Sequence, residues 1–257
     1  MKPLSLAKER ATEILKGIKA PTPVVRKIHL PDTYVALGTP SQDFLDDVLR
    51  IGDVCAIRHV KGKTFRKNYE RGVLLPLLAK AYSCKSMLEF GTGRGFCTAC
   101  CLKLASPPLE RIVTIDFQPD SETPGYFAKL GIDTSKVRFV KAASQSLSAK
   151  EVGTGVDLVF VDGGHRKEEV LSDWDLARKC VGKSSVWLFD DYRSQYDGVK
   201  AAVDLVQFDW KVLVSTDGWI YENAGIEEHG NADVVLPGGK ESGSGMVVAG
   251  IGTDCIF

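Results

Sequence analysis

Apolar and polar residues follow two different patterns along this chain, and the change occurs near residue 86. From there to residue 215, short apolar runs alternate with segments in which apolar residues recur every three to four positions. Uninterrupted apolar runs are typical of strands buried on both faces, and the other spacing is typical of amphipathic helices. The predicted strands are Met87–Phe90, Arg111–Asp116, Val137–Lys141, Val156–Asp162, Ser185–Asp190, Trp210–Ser215 and a last one at Gly245–Ile251.

Helical stripes fill the segments between these strands. Two of them consist of Val170, Trp174, Ala177 and Val181, and of Val199, Ala202, Val203 and Val206. Alternation of strands and helices predicts a mainly parallel sheet, because each strand returns through a crossover helix. We therefore expect an α/β fold: a doubly wound, mostly parallel seven-stranded sheet with helices on both faces.

The first 80 residues predict a helical extension instead. Expected helices carry Leu6, Ile14, Leu15 and Ile18, then Phe44, Leu45, Val48 and Leu49 after a cap at Ser41, and a third spans Tyr69 to Ala81. The predicted organisation is an N-terminal helical extension at 1–80 and a core at 81–257. Within the core, the polar, glycine-rich segment at about 216–245 is expected to be a lid-like insertion, with Trp219–Tyr221 as a hairpin strand.

Composition narrows the classes of partner. Lys plus Arg and Asp plus Glu both number 33 in 257 residues, so the formal net charge is zero and a nucleic-acid partner is not expected. No apolar run reaches the ~18 residues that a membrane span needs, and the N-terminus lacks a targeting pattern. We expect a cytoplasmic protein. The seven cysteines, including Cys97, Cys100 and Cys101, are expected to be buried thiols, because no second pair completes a zinc site.

A glycine-rich turn follows the first core strand, in the string Glu89-Phe90-Gly91-Thr92-Gly93-Arg94-Gly95. Glycines at such a turn let the backbone approach a ligand closely. A dinucleotide fingerprint requires a third glycine where this chain has Phe96, so that cofactor fits poorly. Glu89 adds a carboxylate for a cationic amine, which suits the ammonium of S-adenosylmethionine. We predict that Glu89 and the turn residues Gly91, Thr92, Gly93 and Gly95 bind this cofactor.

The next strand provides a second test of this prediction. It ends in Asp116, 21 residues after Gly95. An acidic residue about 20 positions beyond a glycine turn commonly binds ribose hydroxyls. Asp116 is therefore predicted to bind the ribose of the cofactor.

Residues 69–215 resemble a class I S-adenosylmethionine-dependent methyltransferase. The order of the glycine turn, Asp116, Asp162-Gly163-Gly164-His165 and Asp190-Asp191-Tyr192 is most similar to small-molecule O-methyltransferases such as the macrocin and novobiocin sugar O-methyltransferases. This resemblance implies a Rossmann-like fold, a small hydroxylated acceptor and, in many such enzymes, a homodimer. It also implies that Ala143 and Ser144 border the adenine and that Asp162 lies beside the cofactor.

In the similar family, acids after the fourth and fifth core strands bind a divalent cation. The matching residues here are Asp162, Asp190 and Asp191. Mg²⁺ prefers such hard oxygen ligands and stabilises a deprotonated hydroxyl. Alternatively, Asp191 or Ser194 only caps the next helix and Asp190 is solvated. The resemblance thus predicts Mg²⁺ or another divalent cation at these three aspartates.

The general base is the point at which this chain departs from the family pattern. The sugar O-methyltransferases have a second aspartate where this chain has Gly164, so His165 is the predicted base together with Asp162. Three functions stay open: a metal-dependent O-methyltransferase, a metal-independent methyltransferase, and a non-catalytic cofactor-binding protein. A basic stretch could bind an anionic substrate or be a solvated helix face, and its members are Lys61, Lys63, Arg66, Lys67 and Arg71.

Overall fold

The computed structural model describes residues 3–18, 21–24, 26–55, 69–192, 196–215 and 245–257. Within these residues the strands form one eight-stranded sheet in the order β1-β7-β8-β6-β5-β2-β3-β4. The strands are β1 Arg26–His29, β2 Ser86–Phe90, β3 Arg111–Asp116, β4 Val137–Lys141, β5 Val156–Val161, β6 Val181–Phe189, β7 Trp210–Ser215 and β8 Gly245–Ile251. The predicted α/β class is confirmed. The predicted count of seven strands was one too few, since β1 was missed.

All neighbouring strands are parallel except at β8, which runs antiparallel to both β6 and β7. The order of the strands reverses between β2 and β5, which are hydrogen-bonded neighbours. Strands β3 and β4 lie on one side of β2, whereas β5 and β6 lie on the other. In open α/β sheets, ligands bind beyond the carboxyl ends of the strands at such a reversal. The topology therefore predicts a ligand site at the residues that follow β2 and β5.

Helices cover both faces of the sheet. Their bounds are α1 Pro3–Gly17, α2 Leu30–Leu37, α3 Gln42–Val54, α4 Tyr69–Ala81, α5 Phe96–Leu104, α6 Thr123–Lys129, α7 Ala149–Val152, α8 Lys167–Cys180 and α9 Asp197–Leu205. The predicted cap is present, because the Ser41 side chain accepts a hydrogen bond from the backbone N–H of Phe44 at 3.3 Å. Helix α4 has the predicted bounds.

Two hydrophobic clusters pack against the sheet, one on each face. One combines residues of α2 to α6 with strand side chains that point to one face of the sheet, such as Met87 and Leu158. The other combines residues of α1, α8 and α9 with side chains that point the opposite way, such as Leu88 and Val159. All residues of β2 are buried, as continuous apolar runs predict for a central strand.

The N-terminal region packs closely on the core. Strand β1 pairs in parallel with β7, and Arg10 of α1 forms an ion pair with the buried Asp175 of α8 at 3.2 Å. A boundary at residue 80 stays a prediction, as does the lid at 216–245, because residues 216–244 lie outside the described part of the chain. The hairpin strand predicted at Trp219–Tyr221 lies there too. Among the described residues, no helix has the length and apolar character needed to cross a bilayer.

Candidate active site

The glycine turn joins β2 to α5 at the point where the strand order reverses. Gly91, Gly93 and Gly95 all have positive φ, with values of 91°, 48° and 77°. A Cβ added at Gly91 would lie 2.1 Å from the backbone oxygen of Asp162. The turn after β2 thus touches the chain that leaves β5, and only a residue without a side chain allows this approach.

The Glu89 carboxyl group is buried below this turn. Its Oε2 accepts hydrogen bonds from the hydroxyls of Thr98 at 2.5 Å and Thr114 at 2.6 Å. Thr92 extends the network, since its Oγ1 lies 2.6 Å from the Thr114 hydroxyl oxygen. Burial raises the pKa of Glu89 to about 7, although the two hydroxyls and Arg71 oppose this rise. A bound cation above Glu89 would favour its ionised form.

Asp116 lies at the end of β3 and faces the glycine turn. Its Oδ2 accepts a hydrogen bond from the backbone N–H of Gly93 at 2.9 Å, and its Oδ1 accepts one from Gln118 N–H at 2.7 Å. The structure therefore brings Asp116 and the glycine turn together. Beyond β4, Ala143 precedes a 3₁₀ turn that begins at the buried Ser144.

Asp162 and Asp190 follow the last residues of β5 and β6, and one arginine joins them. Nη1 of Arg71 contacts Oδ2 of Asp162 and lies 2.5 Å from Oδ2 of Asp190. The side chains of all three residues are 15% exposed. Both aspartates thus converge as predicted, but they do so on the guanidinium of Arg71, a residue of the basic stretch.

Arg71 belongs to the first turn of α4 and reaches the sheet edge across the ring of Phe160, whose centroid is 5.9 Å from Cζ. Burial lowers the pKa of Arg71, but the Asp162 and Asp190 carboxylates outweigh this effect and hold the pKa above its ordinary value. Burial also raises the pKa of Asp162; Arg71 opposes this, while Asp190, Asp191 and Glu89 add to it. The Arg71 guanidinium therefore interacts with the carboxyl groups of Glu89, Asp162 and Asp190.

A signal for this role of Arg71 was present in the sequence. Residues 72–79 of α4 are all apolar or glycine, and all are buried. A charged side chain at the start of such a helix has to find a buried partner of opposite charge. The other basic residues of the stretch, at 61, 63, 66 and 67, lie outside the described residues.

His165 and Asp191 form a second charged pair beside this cluster. Nε2 of His165 lies 2.8 Å from Oδ2 of Asp191, and its ring stacks on that of Tyr196 with centroids 4.1 Å apart. Asp191 has a φ of 57°, so the chain turns sharply after Asp190. This turn explains why two adjacent aspartates have different partners. The imidazole side chain is 46% exposed.

Gly164, where the similar family has an aspartate, lies against α8. A Cβ at this position would be 2.2 Å from Oε2 of Glu169. The same Oε2 accepts a hydrogen bond from the N–H of Arg166 at 3.2 Å and so caps the helix. A second aspartate would displace this cap.

The predicted metal ligands require a test against this arrangement. Among the described residues, the side chains whose ligand atoms lie within 4.8 Å of one another are Asp162, His165 and Asp191, a set that differs from the predicted one. Within it, His165 and Asp191 already bond to each other. Asp190 bonds to Arg71 instead. An ion between Oδ2 of Asp162 and Oδ2 of Asp190 would take the place that Nη1 of Arg71 occupies, so this position does not fit a cation while Arg71 is bound.

Residues 88–192 match a protein family described as "Methyltransferase domain". An uncharacterized protein, R132 of Acanthamoeba polyphaga mimivirus, is 24% identical over 163 residues, which cover 58% of this chain and 72% of that protein. A putative O-methyltransferase of a Mycobacterium species (strain JLS) is 32% identical over 96 residues, or 36% of this chain and 42% of the relative. The predicted resemblance to the methyltransferases is confirmed.

A solved structure shares the fold over most of its length. The O-methyltransferase TomG from Streptomyces achromogenes, in complex with S-adenosylmethionine, superposes with a TM-score of 0.54. The alignment covers 86% of this chain and 94% of TomG at 16% identity. At this level of identity the likeness concerns the fold.

Proposed function

We propose that this protein, a class I S-adenosylmethionine-dependent methyltransferase, transfers the methyl group of its cofactor to a hydroxyl group of a small molecule. One observation carries the proposal. The Asp162 backbone touches the glycine turn, and the His165–Asp191 pair lies within 4.8 Å of the Asp162 side chain. The expected cofactor site and a proton acceptor therefore share one edge of the sheet, as methyl transfer to a hydroxyl requires.

The cofactor is proposed to lie over the glycine turn. Gly91, Gly93 and Gly95 would leave room for it, and Asp116 would accept hydrogen bonds from the ribose hydroxyls. A carboxylate can accept more bonds than the two that Asp116 now makes. The Glu89 carboxyl group, below the turn, would favour the cofactor's ammonium group electrostatically. Ala143 and Ser144 are proposed to border the adenine.

Phe117 is a further candidate for contact with the adenine of the cofactor. This aromatic residue directly follows Asp116 and is 55% exposed, although most large apolar side chains of the protein are buried. A flat ring beside a ribose-binding acid offers a stacking face for a base. We include Phe117 in the proposed adenine subsite.

His165 is the proposed general base. An N–H at Nε2 would donate to the Asp191 carboxylate, which leaves the Nδ1 lone pair to accept the proton of the acceptor hydroxyl. As that proton leaves, the hydroxyl oxygen forms a bond to the methyl carbon. The bond between carbon and sulfur breaks, and its electron pair stays on sulfur to give S-adenosylhomocysteine. Asp191 holds the imidazole and stabilises its charged form.

Assistance by Mg²⁺ at Asp162, Asp190 and Asp191 stays a prediction from the sequence. Arg71 holds oxygens of two of these three side chains, and this contact speaks for the metal-independent alternative. A hydroxylated acceptor is consistent with the description of the mycobacterial relative as a putative O-methyltransferase and of TomG as an O-methyltransferase. A cytoplasmic location and a homodimer likewise stay predictions.

The proposal is tested by cofactor binding and by methyl transfer from labelled S-adenosylmethionine to a panel of phenols and sugars. We expect S-adenosylhomocysteine to bind in calorimetry. His165→Ala should lower kcat/KM about 10²–10⁴-fold and leave that binding unchanged, because the base does not hold the cofactor. The control is His29→Ala, at an exposed position of β1. Absence of cofactor binding, or full activity of His165→Ala, would refute the proposal.

A further inference from the structure

Arg71 contacts two of the three carboxylates that the family resemblance assigns to a metal. Nη1 reaches Oδ2 of Asp162 and Oδ2 of Asp190, although these residues lie 91 and 119 positions away in the chain. A single nitrogen bonded to two carboxylates lies between them, where an ion shared by both would lie. The arginine therefore has the position of a cation, and it supplies a permanent positive charge there.

Two further carboxylate oxygens near this position also have hydrogen-bond partners. Oδ1 of Asp190 accepts a hydrogen bond from the backbone N–H of Asp191 at 2.8 Å. The Asp191 carboxylate bonds to His165. A divalent ion shared by Oδ2 of Asp162 and Oδ2 of Asp190 would have to displace Nη1 of Arg71, and it would then lie against a guanidinium of like charge. The partly buried surroundings of these side chains screen that repulsion poorly.

The position of Arg71 is fixed by the fold rather than by a flexible surface segment. It extends from α4, whose other residues are largely buried, and its guanidinium lies over the ring of Phe160 in β5. Gly72, the next residue, allows α4 to approach α5, since a Cβ there would lie 2.4 Å from the Phe96 ring. Close packing of these elements holds the base of the arginine side chain in place.

We propose that Arg71 is a built-in cation that replaces the divalent metal in this active site. It holds Asp162 and Asp190 together and offsets their charge, so that the site is assembled without an ion. The inference rests on the proposed methyl transfer. Arg71 is a positioning residue here, because its contacts are with protein carboxylates.

Metal binding by the purified full-length chain tests this role, with Mn²⁺ alone as the probe. Electron paramagnetic resonance measures free Mn²⁺, and thermal unfolding measures stabilisation. In the wild-type protein we expect all Mn²⁺ to remain free. Arg71→Met keeps the volume and removes the charge, and this variant should gain a Mn²⁺ site. At a Mn²⁺ concentration about 100 times Kd its Tm should rise by roughly 5–10 °C.

Three further variants identify the site. Adding Asp190→Asn to Arg71→Met should abolish the gained binding, and Arg71→Lys should behave like the wild type because it keeps the charge. Arg50→Met, at an exposed position of α3 that pairs with Asp47, is the matched control and should gain nothing. Mn²⁺ binding by the wild-type protein that Asp162→Asn removes would overturn the inference. This measurement decides the question even if Arg71→Met fails to fold.

The test separates this inference from the proposed function. S-adenosylhomocysteine is added to the same wild-type samples, and its stabilisation reports the cofactor site independently of any metal. Stabilisation by S-adenosylhomocysteine together with wild-type Mn²⁺ binding would retain the methyltransferase and reject the built-in cation. Absence of stabilisation would instead reject the proposed function.

Discussion

Glu89 shows how burial changes the chemistry of one residue. Its carboxyl group is 1% exposed, and burial raises its pKa to about 7. Its hydrogen-bond partners are two threonine hydroxyls, which favour the ionised form without supplying a positive charge. A carboxyl group with such a pKa changes its charge near neutral pH, and cofactor binding should follow this change.

We expect S-adenosylhomocysteine to bind more tightly as the pH rises from 6 to 8, because ionised Glu89 attracts the ligand's ammonium group. In Glu89→Gln this dependence should disappear, and affinity at pH 8 should be about tenfold lower, equivalent to roughly 1.4 kcal/mol. Calorimetry at both pH values measures the effect. Glu110→Gln, whose parent side chain is 68% exposed, is the control. Equal affinities of wild type and Glu89→Gln at pH 8 would contradict this role.

At the scale of elements, the turn between β2 and α5 depends on two different properties of glycine. Gly93 needs only its positive φ, since no atom lies within 4 Å of an added Cβ. Gly91 needs both a positive φ and the absence of a side chain, because the Asp162 backbone oxygen occupies that space. This contact joins the ends of β2 and β5 and thereby places Asp162 beside the turn.

Gly91→Ala and Gly93→Ala should therefore differ in stability. Gly93→Ala should lower the free energy of unfolding by about 1–2 kcal/mol, the cost of the left-handed conformation. Gly91→Ala should cost roughly 1–3 kcal/mol more, because backbone atoms have to move. Urea denaturation measures both values. Equal losses would show that β2 and β5 do not approach as closely as described.

At the scale of the whole molecule, burial raises the pKa of a further described carboxyl group besides those of Glu89 and Asp162. Asp173 of α8 is 5% exposed, and burial raises its pKa to about 7, an effect that the Ser144 hydroxyl opposes. Oδ2 of Asp173 would be 3.1 Å from a Cβ at Gly163, so the group lies below the active-site edge. Asp173 and Glu89 bind protons in the folded protein at pH values where they are ionised in the unfolded chain.

Both groups should make global stability fall with rising pH. Their contribution is fully present below the ordinary carboxyl pKa of about 4 and is lost as the pH rises through about 7. Asp173→Asn should raise the free energy of unfolding at pH 8 by roughly 1–3 kcal/mol and by only about a third as much at pH 5. Urea denaturation at both pH values measures this. The exposed Asp46→Asn is the control, and an effect of equal size at both pH values would refute the explanation.

The sequence by itself determined the central sheet and the residues at its edge. Predicted and observed bounds agree for strands such as Arg111–Asp116 and Trp210–Ser215, because the apolar residues of each run are buried in the sheet. Strand β1 escaped prediction because only Ile28 of its four residues is buried. Its existence depends on the edge of β7, to which it pairs.

Only the tertiary structure decided which charged groups become partners. Sequence patterns placed Asp116 by the glycine turn and Asp162 near Asp190, since carboxyl ends of neighbouring parallel strands share an edge. They could not show that Arg71 lies between the two aspartates. That contact joins α4 to residues far along the chain, and it depends on how closely a helix packs on the sheet. The apolar residues after Arg71 indicate that its charge needs a buried acidic partner, but they do not identify that partner, because the packing arises only when the elements assemble.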